Sequence, residues 1–374
     1  MTAFPRHAQA LAALADRGRL RSLAPRLGHD FASNDYLGLA GSDVLRDAAR
    51  AALDRGVAVG AGGSRLLRGN DAEHQALEAI AARHFGVERA LFMGGGFAAN
   101  QAIFASLPMP DDLILYDALI HASAHDGMRL GRADTLSFAH NDVGDAGAQI
   151  AAWRVKGGVG RVWLAIESLY SMGGDFAPLA DFAALASAQN AVLVVDEAHA
   201  TGLYGPTGRG LTEGMSHGAN LLTLHTCGKA LGVSGALICG AADLIDTLIN
   251  KARGFIYATA PSPLNAALVA AALAELDANP QRRLAALALV DHAHVQAVAC
   301  GFPGLTSQIL PILLGTDQRV MQVAAALQSR GHDIRGIRPP TVPRGTARLR
   351  ISITLNTSAD VISQMFKDLA QVAA

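Results

Sequence analysis

The chain alternates between short apolar runs and longer stretches in which apolar residues recur every three or four positions. The short runs Ala90–Met93, Leu113–Tyr116, Val162–Glu167, Val192–Asp196, Leu221–His225 and Ala236–Cys239 predict strands. Between several of them, Ala72–Phe85, Asn100–Leu107 and Leu179–Ala188 place apolar residues at helical spacing. Apolar runs without alternation fit strands covered on both faces, so the order predicts a mostly parallel sheet wrapped by helices. Leu264–Ala278 reads as a helix ending at Asn279-Pro280, and the pattern then changes. Ile309–Leu314 reads as a strand, Gln318–Arg330 as a helix and Arg348–Thr354 as an alternating strand. The expected fold class is α/β, with an N-terminal segment 1–45, a large domain 46–265 and a smaller α+β domain 266–374.

One run breaks the apolar logic. In VLVVDEAHATG, residues 192–202, four apolar residues lead straight into Asp196, Glu197 and His199. Charge at the end of a buried strand is costly unless it is paired. In sheets of this kind, ligands bind at the carboxyl ends of the strands. Other chemistry-bearing residues sit at comparable places. Lys229 lies among small residues in HTCGKALGVSGA, just past the strand at 221–225. This is not a nucleotide P-loop, because Ala230 stands where Ser or Thr is needed. A desolvated lysine is a usable amine nucleophile. Gly94-Gly95-Gly96 separates a strand from a helix, and bare N–H groups at a helix N-terminus suit a phosphate. His121 follows the strand at 113–116 in DALIHAS. Taken singly, each feature fits a solvated turn, a tight loop or a packed histidine as well.

Composition narrows the function classes. The chain has 374 residues, 51% of them hydrophobic, and a formal net charge of −1, so nothing in the balance suggests nucleic acid, which would favour a basic face. No apolar run reaches the roughly 18–20 residues that span a bilayer. MTAFPRHAQA lacks the basic-then-apolar pattern of a signal peptide, and Cys227, Cys239 and Cys300 form neither a disulfide framework nor a metal knuckle. The expectation is a cytoplasmic protein with reduced thiols, no membrane or nucleic-acid partner and no metal. A Schiff-base lysine, a phosphate cradle, a strand-end aspartate and a ring to stack together match pyridoxal 5'-phosphate, whose pyridinium nitrogen pairs with a carboxylate.

The motifs that carry this chemistry resemble a family. ASNDYLGLA (32–40), GAGGSRLLRGN (60–70), GFAANQA (96–102), HASAHDGMRLGRA (121–133), SMGGDFAPL (171–179), DEAHATGLYGPTGRGL (196–211), TCGKALGVSGA (226–236) and RPPTVPRGTARLRIS (338–352) are similar, in order, to the α-oxoamine synthases. These are fold-type I pyridoxal-phosphate transferases, with a seven-stranded large-domain sheet, that join an amino acid to an acyl thioester with loss of CO2. SQILPILLG (307–315) together with IRPPTVPRGTARLR (337–350) is most similar to the members that use L-alanine and a pimeloyl thioester in biotin synthesis. Rival activities within the family are those of 2-amino-3-ketobutyrate ligase, 5-aminolevulinate synthase and serine-using long-chain synthases. A catalytically silent partner subunit is the rival from another class.

The resemblance implies roles. Lys229 matches the Schiff-base lysine, Asp196 the pyridinium partner, His199 a residue near the phenolic oxygen and His121 the stacking ring. Gly96 and Phe97 match phosphate donors, and Thr226, Ser171 and Glu167 match further residues around the cofactor. Thr259 resembles a threonine that reaches the phosphate of the other subunit in a homodimer. Asn34 and Arg350 match groups that hold the amino-acid carboxylate, and Arg21 is a candidate for a distal acyl carboxylate. The sequence departs from the family pattern at Gly95, Ser168-Leu169, His225, Cys227, Ala258, Pro261-Ser262-Pro263 and Asn356.

Overall fold

Valine, leucine and isoleucine dominate the central strands because both faces of the sheet are covered. The computed structural model describes residues 3–23, 25–215 and 220–373. Its main sheet has strands β1 (Arg89–Met93), β2 (Leu113–Asp117), β3 (Asp134–Phe138), β4 (Val162–Glu167), β5 (Val192–Asp196), β6 (Leu221–Thr226) and β7 (Ala236–Gly240). Their order across the sheet is β1-β7-β6-β5-β4-β2-β3. Only β7 runs against its neighbours β1 and β6, and the remaining pairs are parallel. Periodicity did not single out β3. It is an edge strand on which only Phe138 is buried, so it needs no apolar run.

Side chains alternate across the sheet with a period of two. Val192, Val194, Trp163 and Ala165 join one core with Ile103 and Phe104 of the Gly96–Ser106 helix and with Leu107 just after it. Leu193, Val195, Leu164 and Ile166 join the opposite core with Trp153 and Phe182. The same parity turns Glu167 and Asp196, which are register partners at the ends of β4 and β5, toward the Gly96–Ser106 side.

Local chemistry sets the helix ends. Asp71 caps the Ala72–Phe85 helix through Glu73 N–H at 2.9 Å, and His74 Nδ1 accepts from Asp71 N–H at 3.1 Å. Gly86, with φ of 69°, ends that helix in the left-handed conformation that glycine adopts without strain.

The chain divides into two units. The larger comprises residues 37–171 and 176–283; the smaller comprises the residues up to Tyr36, residues 172–175 and those from Leu284 onward. The expected boundary at 266 therefore moves. The Pro263–Ala278 helix packs on the Asp43–Asp54 and Ala72–Phe85 helices, inside the larger unit. It is apolar on nearly every side, so its sequence does not reveal which partner it covers. The expected N-terminal segment 1–45 also splits, because His29–Asp30 pairs in parallel with His332–Asp333 in the smaller unit. That unit holds an antiparallel sheet of β8 (Ile309–Gly315), β9 (Arg335–Ile337) and β10 (Ala347–Ser352), in the order β9-β10-β8. Its core joins Val320, Leu327, Leu349, Ile351 and Phe366. Among the described residues, no helix is long and apolar enough to cross a membrane.

The turn after β6 depends on Gly232. Its φ is +68°, its N–H closes onto Lys229 O at 2.9 Å, and an added Cβ would lie 2.5 Å from Ala40 N. Gly232→Ala should lower stability by about 1–3 kcal/mol, the cost of holding a strained backbone. Urea unfolding checks this, and an unchanged midpoint would contradict it.

Candidate active site

The carboxyl ends of β4, β5 and β6 and the N-terminus of the Gly96–Ser106 helix enclose a cavity of about 210 Å³. Parity in β5 aims Asp196 into it. The three-glycine turn brings in the helix start, and β6 ends at Thr226 just before Lys229. The lining includes Gly96, Phe97, His121, Glu167, Asp196, His199, Thr226 and Lys229, all expected from sequence, together with Asn100, Ser123 and Ala198.

Asp196 is 9% exposed, so its carboxylate needs donors. Asn100 Nδ2 donates to Oδ2 at 2.9 Å and Ala198 N–H donates to Oδ1 at 2.9 Å. Its register partner Glu167 is buried, and its Oε2 accepts from Ser171 N–H at 3.1 Å, while Oε1 has no hydrogen-bond partner among the described residues. Burial first, and then the adjacent Asp196 charge, hold the Glu167 carboxyl well above the usual carboxylate range, against the pull of Lys229. His121 caps the Ala122–Leu130 helix, and its Nδ1 accepts from Ser123 N–H at 3.2 Å. The residue is exposed and borders the cavity. Desolvation lowers its pKa, with Asp196 opposing the shift and Lys229 and His125 adding to it.

The donor set fits an anion beside an aromatic ring. The first N–H groups of a helix have no intrahelical partner. A Cβ added at Gly96 would meet Thr226 Oγ1 at 2.5 Å, so a bare backbone and a hydroxyl converge there, as a phosphate requires. Asp196 supplies a fixed negative charge and Lys229 an amine in the same cavity.

Other expected residues lie elsewhere. Ser171 is buried but does not line the cavity, and contributes its N–H to Glu167. Thr259 stands on an exposed loop. Asn34 and Arg350 belong to the smaller unit. There, Tyr36 O–H donates to Asn34 Oδ1 at 3.1 Å, Arg350 acts as a neighbouring charge on Tyr36, and an Arg350 Nη donates to Ser352 Oγ at 3.0 Å. Arg21 is exposed, donates to Thr341 Oγ1 at 3.3 Å and lines a separate cavity of about 660 Å³ with Leu11, Leu14 and Val342. Asn100 and Ser123 were not anticipated as site residues. Their signal was present. Asn100 is a polar residue on a buried alanine-rich face one helical turn past Gly96, and Ser123 follows His121 by two.

A family model described as aminotransferase class I and II matches residues 28–364. The chain belongs to this family. The 8-amino-7-oxononanoate synthase of Anaeromyxobacter dehalogenans is 39% identical over 343 residues, which is 91% of this chain and 85% of that one. Among solved structures, a single-substitution variant of the serine palmitoyltransferase of S. paucimobilis with bound PLP–myriocin aldimine aligns with a TM-score of 0.88 at 24% identity, over 99% of this chain and 97% of that one. The 8-amino-7-oxononanoate synthase of Francisella tularensis aligns with a TM-score of 0.75 at 26% identity, over 92% and 97%. The aminotransferase class I and II fold accounts for the position of the cavity, at the strand ends of a mostly parallel sheet.

Glu167 gives this family member a testable pH dependence. Its folded pKa is raised, so between the ordinary value of 4.5 and the raised one the folded chain binds the extra proton. Stability from this group is therefore present at low pH and is lost as pH rises through that window. Glu167→Gln is neutral throughout and should flatten that decline in urea midpoints of the ligand-free protein. An identical slope in both proteins would exclude Glu167 as its source.

Proposed function

We propose that the protein is a pyridoxal 5'-phosphate-dependent acyltransferase. It condenses L-alanine with a pimeloyl thioester to give 8-amino-7-oxononanoate, CO2 and free thiol, a step in biotin synthesis. The reading is carried by the likeness to relatives of that name across 91% of the chain, combined with a single cavity that holds Lys229, Asp196 and His121. The likeness to serine palmitoyltransferase is one of fold, at 24% identity, and names no substrate for this chain.

When bound, pyridoxal phosphate supplies an aldehyde that takes up amines and a ring that accepts charge from the α-carbon. The Gly96 and Phe97 N–H groups and Thr226 Oγ1 would hold its phosphate, and the His121 ring would stack on it. Asp196 would keep a proton on the ring nitrogen, while His199 would face the phenolic oxygen. The Lys229 amine would carry the group and, once freed, take the α-proton of alanine, a transfer that typically supplies ~10²–10⁴-fold. Asn34 and Arg350 are the groups proposed to hold the amino-acid carboxylate, since a guanidinium offers it a planar fork. The exposed Thr259 suits the expected phosphate contact to a second copy, and a homodimer is part of this reading.

Lys229→Ala should lower turnover more than about a hundredfold while leaving the phosphate cradle able to bind the cofactor noncovalently. Borohydride should fix the cofactor to Lys229 alone in the wild-type protein, and labelling of another lysine would sink the assignment. A matrix of glycine, alanine and serine against acetyl, succinyl, pimeloyl and palmitoyl thioesters, read by thiol release, tests the substrates. Alanine should exceed glycine by roughly 10–200-fold, the worth of one methyl group in an apolar pocket. Preference for palmitoyl with serine would replace the biotin reading and leave the cofactor chemistry standing.

A further inference from the structure

The hydrogens around Asp196 can be counted. Asn100 has two amide hydrogens. One goes to Asp196 Oδ2 at 2.9 Å and the other to Ser123 Oγ at 3.0 Å. A carboxylate only accepts, so Asp196 fixes which end of the amide faces it. Ser123 Oγ accepts from Asn100 and lies 2.8 Å from His121 Nδ1; because the Ser123 N–H donates to that same nitrogen, Nδ1 carries no hydrogen and the hydroxyl hydrogen goes to it. The Ser123 N–H points at the same Nδ1 from 3.2 Å. Nδ1 is therefore an acceptor, which leaves the ring hydrogen on Nε2. Asn100 is 4% exposed and Ser123 is fully buried, so bulk water does not compete for these bonds.

We propose that Asn100 is a positioning residue that, acting through Ser123, holds His121 as the neutral Nε2–H tautomer. The direction of the relay is set at one end by a carboxylate that can only accept and at the other by the Ser123 N–H, which can only donate to Nδ1. The groups acting on the ring agree with this. Asp196 favours a charged imidazole, whereas Lys229, His125 and desolvation oppose it, and the net effect lowers its pKa. A neutral ring can lie against a cationic ring without like-charge repulsion, and keeps Nε2–H as the donor it can offer. That consequence rests on the functional reading above; the tautomer does not.

The test uses histidine labelled with ¹⁵N in the ligand-free full chain, with His121 assigned by comparison with His121→Asn. Two-bond proton–nitrogen spectra should show one Nε2–H form for His121, with a protonation midpoint below that of free histidine. Asn100→Leu removes both amide donors and lets the Ser123 hydroxyl turn to Asp196. Ser123→Ala removes the hydroxyl donor to Nδ1 and leaves only the longer backbone N–H contact of residue 123. Each should give mixed tautomers and a raised midpoint, and the double variant should add little, because both act in one chain of bonds. If Asn100→Leu fails to fold, the smaller Ser123→Ala change decides. A His121 that keeps the wild-type tautomer and midpoint in folded Ser123→Ala overturns the proposal. Titration of wild-type protein with pyridoxal phosphate, followed by absorbance, is a separate readout. Failure to bind would sink the functional reading and leave the tautomer result to stand by itself.

Discussion

A carboxylate buried at the end of a central strand is the constraint around which the larger unit is arranged. Asp196 is 9% exposed and beside a second carboxyl, Glu167, on the next strand. An unpaired charge there would cost several kcal/mol. Asn100 and the Ala198 N–H meet that demand. The Asn100 amide can reach Asp196 only because the Gly96–Ser106 helix starts at the carboxyl edge of the sheet, one turn earlier. The helix start that brings the amide also brings the free N–H groups of Gly96 and Phe97. The donor for the carboxylate and the N–H groups at the cavity's edge thus share a single helix.

The three polar residues that interrupt the buried strand go to different places. Asp196 and His199 line the cavity. Glu197 is turned away, fully buried, and holds a loop. Its Oε2 accepts from Ser168 Oγ at 2.6 Å and Leu211 N–H at 3.1 Å, and its Oε1 accepts from Thr212 N–H at 2.6 Å. Burial raises its pKa against these donors. Gly210 has φ of +112°, and a Cβ there would approach the Glu197 carboxyl carbon to 2.8 Å, so glycine lets the loop close on the carboxylate. One polar motif therefore both lines the cavity and holds the loop.

Three of the departures from the α-oxoamine synthase pattern, Ser168, His225 and Asn356, have local partners. Ser168 is a donor to Glu197. His225 pairs through its two ring nitrogens with the hydroxyls of Thr201 and Thr223 at 2.8 and 2.9 Å, and stacks on Phe85. Asn356 donates to Asp30 and Asp35 within the smaller unit. Gly95 has open space where a side chain would begin, so its backbone position does not demand glycine. These residues are satisfied where they stand, and none of them lines the cavity.

The strands of the main sheet were legible because burial on both faces leaves an unbroken apolar run, and 162–167 and 192–196 match their observed bounds. The helices 72–85 and 179–188 were legible for the complementary reason, a repeated apolar stripe. That Lys229, Asp196, His121 and the glycine turn meet at one cavity was legible from their places at strand ends taken together, while their separate roles came from the resemblance. The edge strand 134–138 was not, since a strand exposed on one side carries little hydrophobic signal. The assignment of the Pro263–Ala278 helix to the larger unit was not, because an all-round apolar helix is compatible with any partner. Nor was the role of Asn100. Its contacts with residues 123 and 196 lie far apart along the chain, and hydrogen-bond direction exists only once the helix and strand are brought together. Periodicity records which side of an element avoids water; it does not record which polar groups meet across the space between two elements, and that was decided by the tertiary structure.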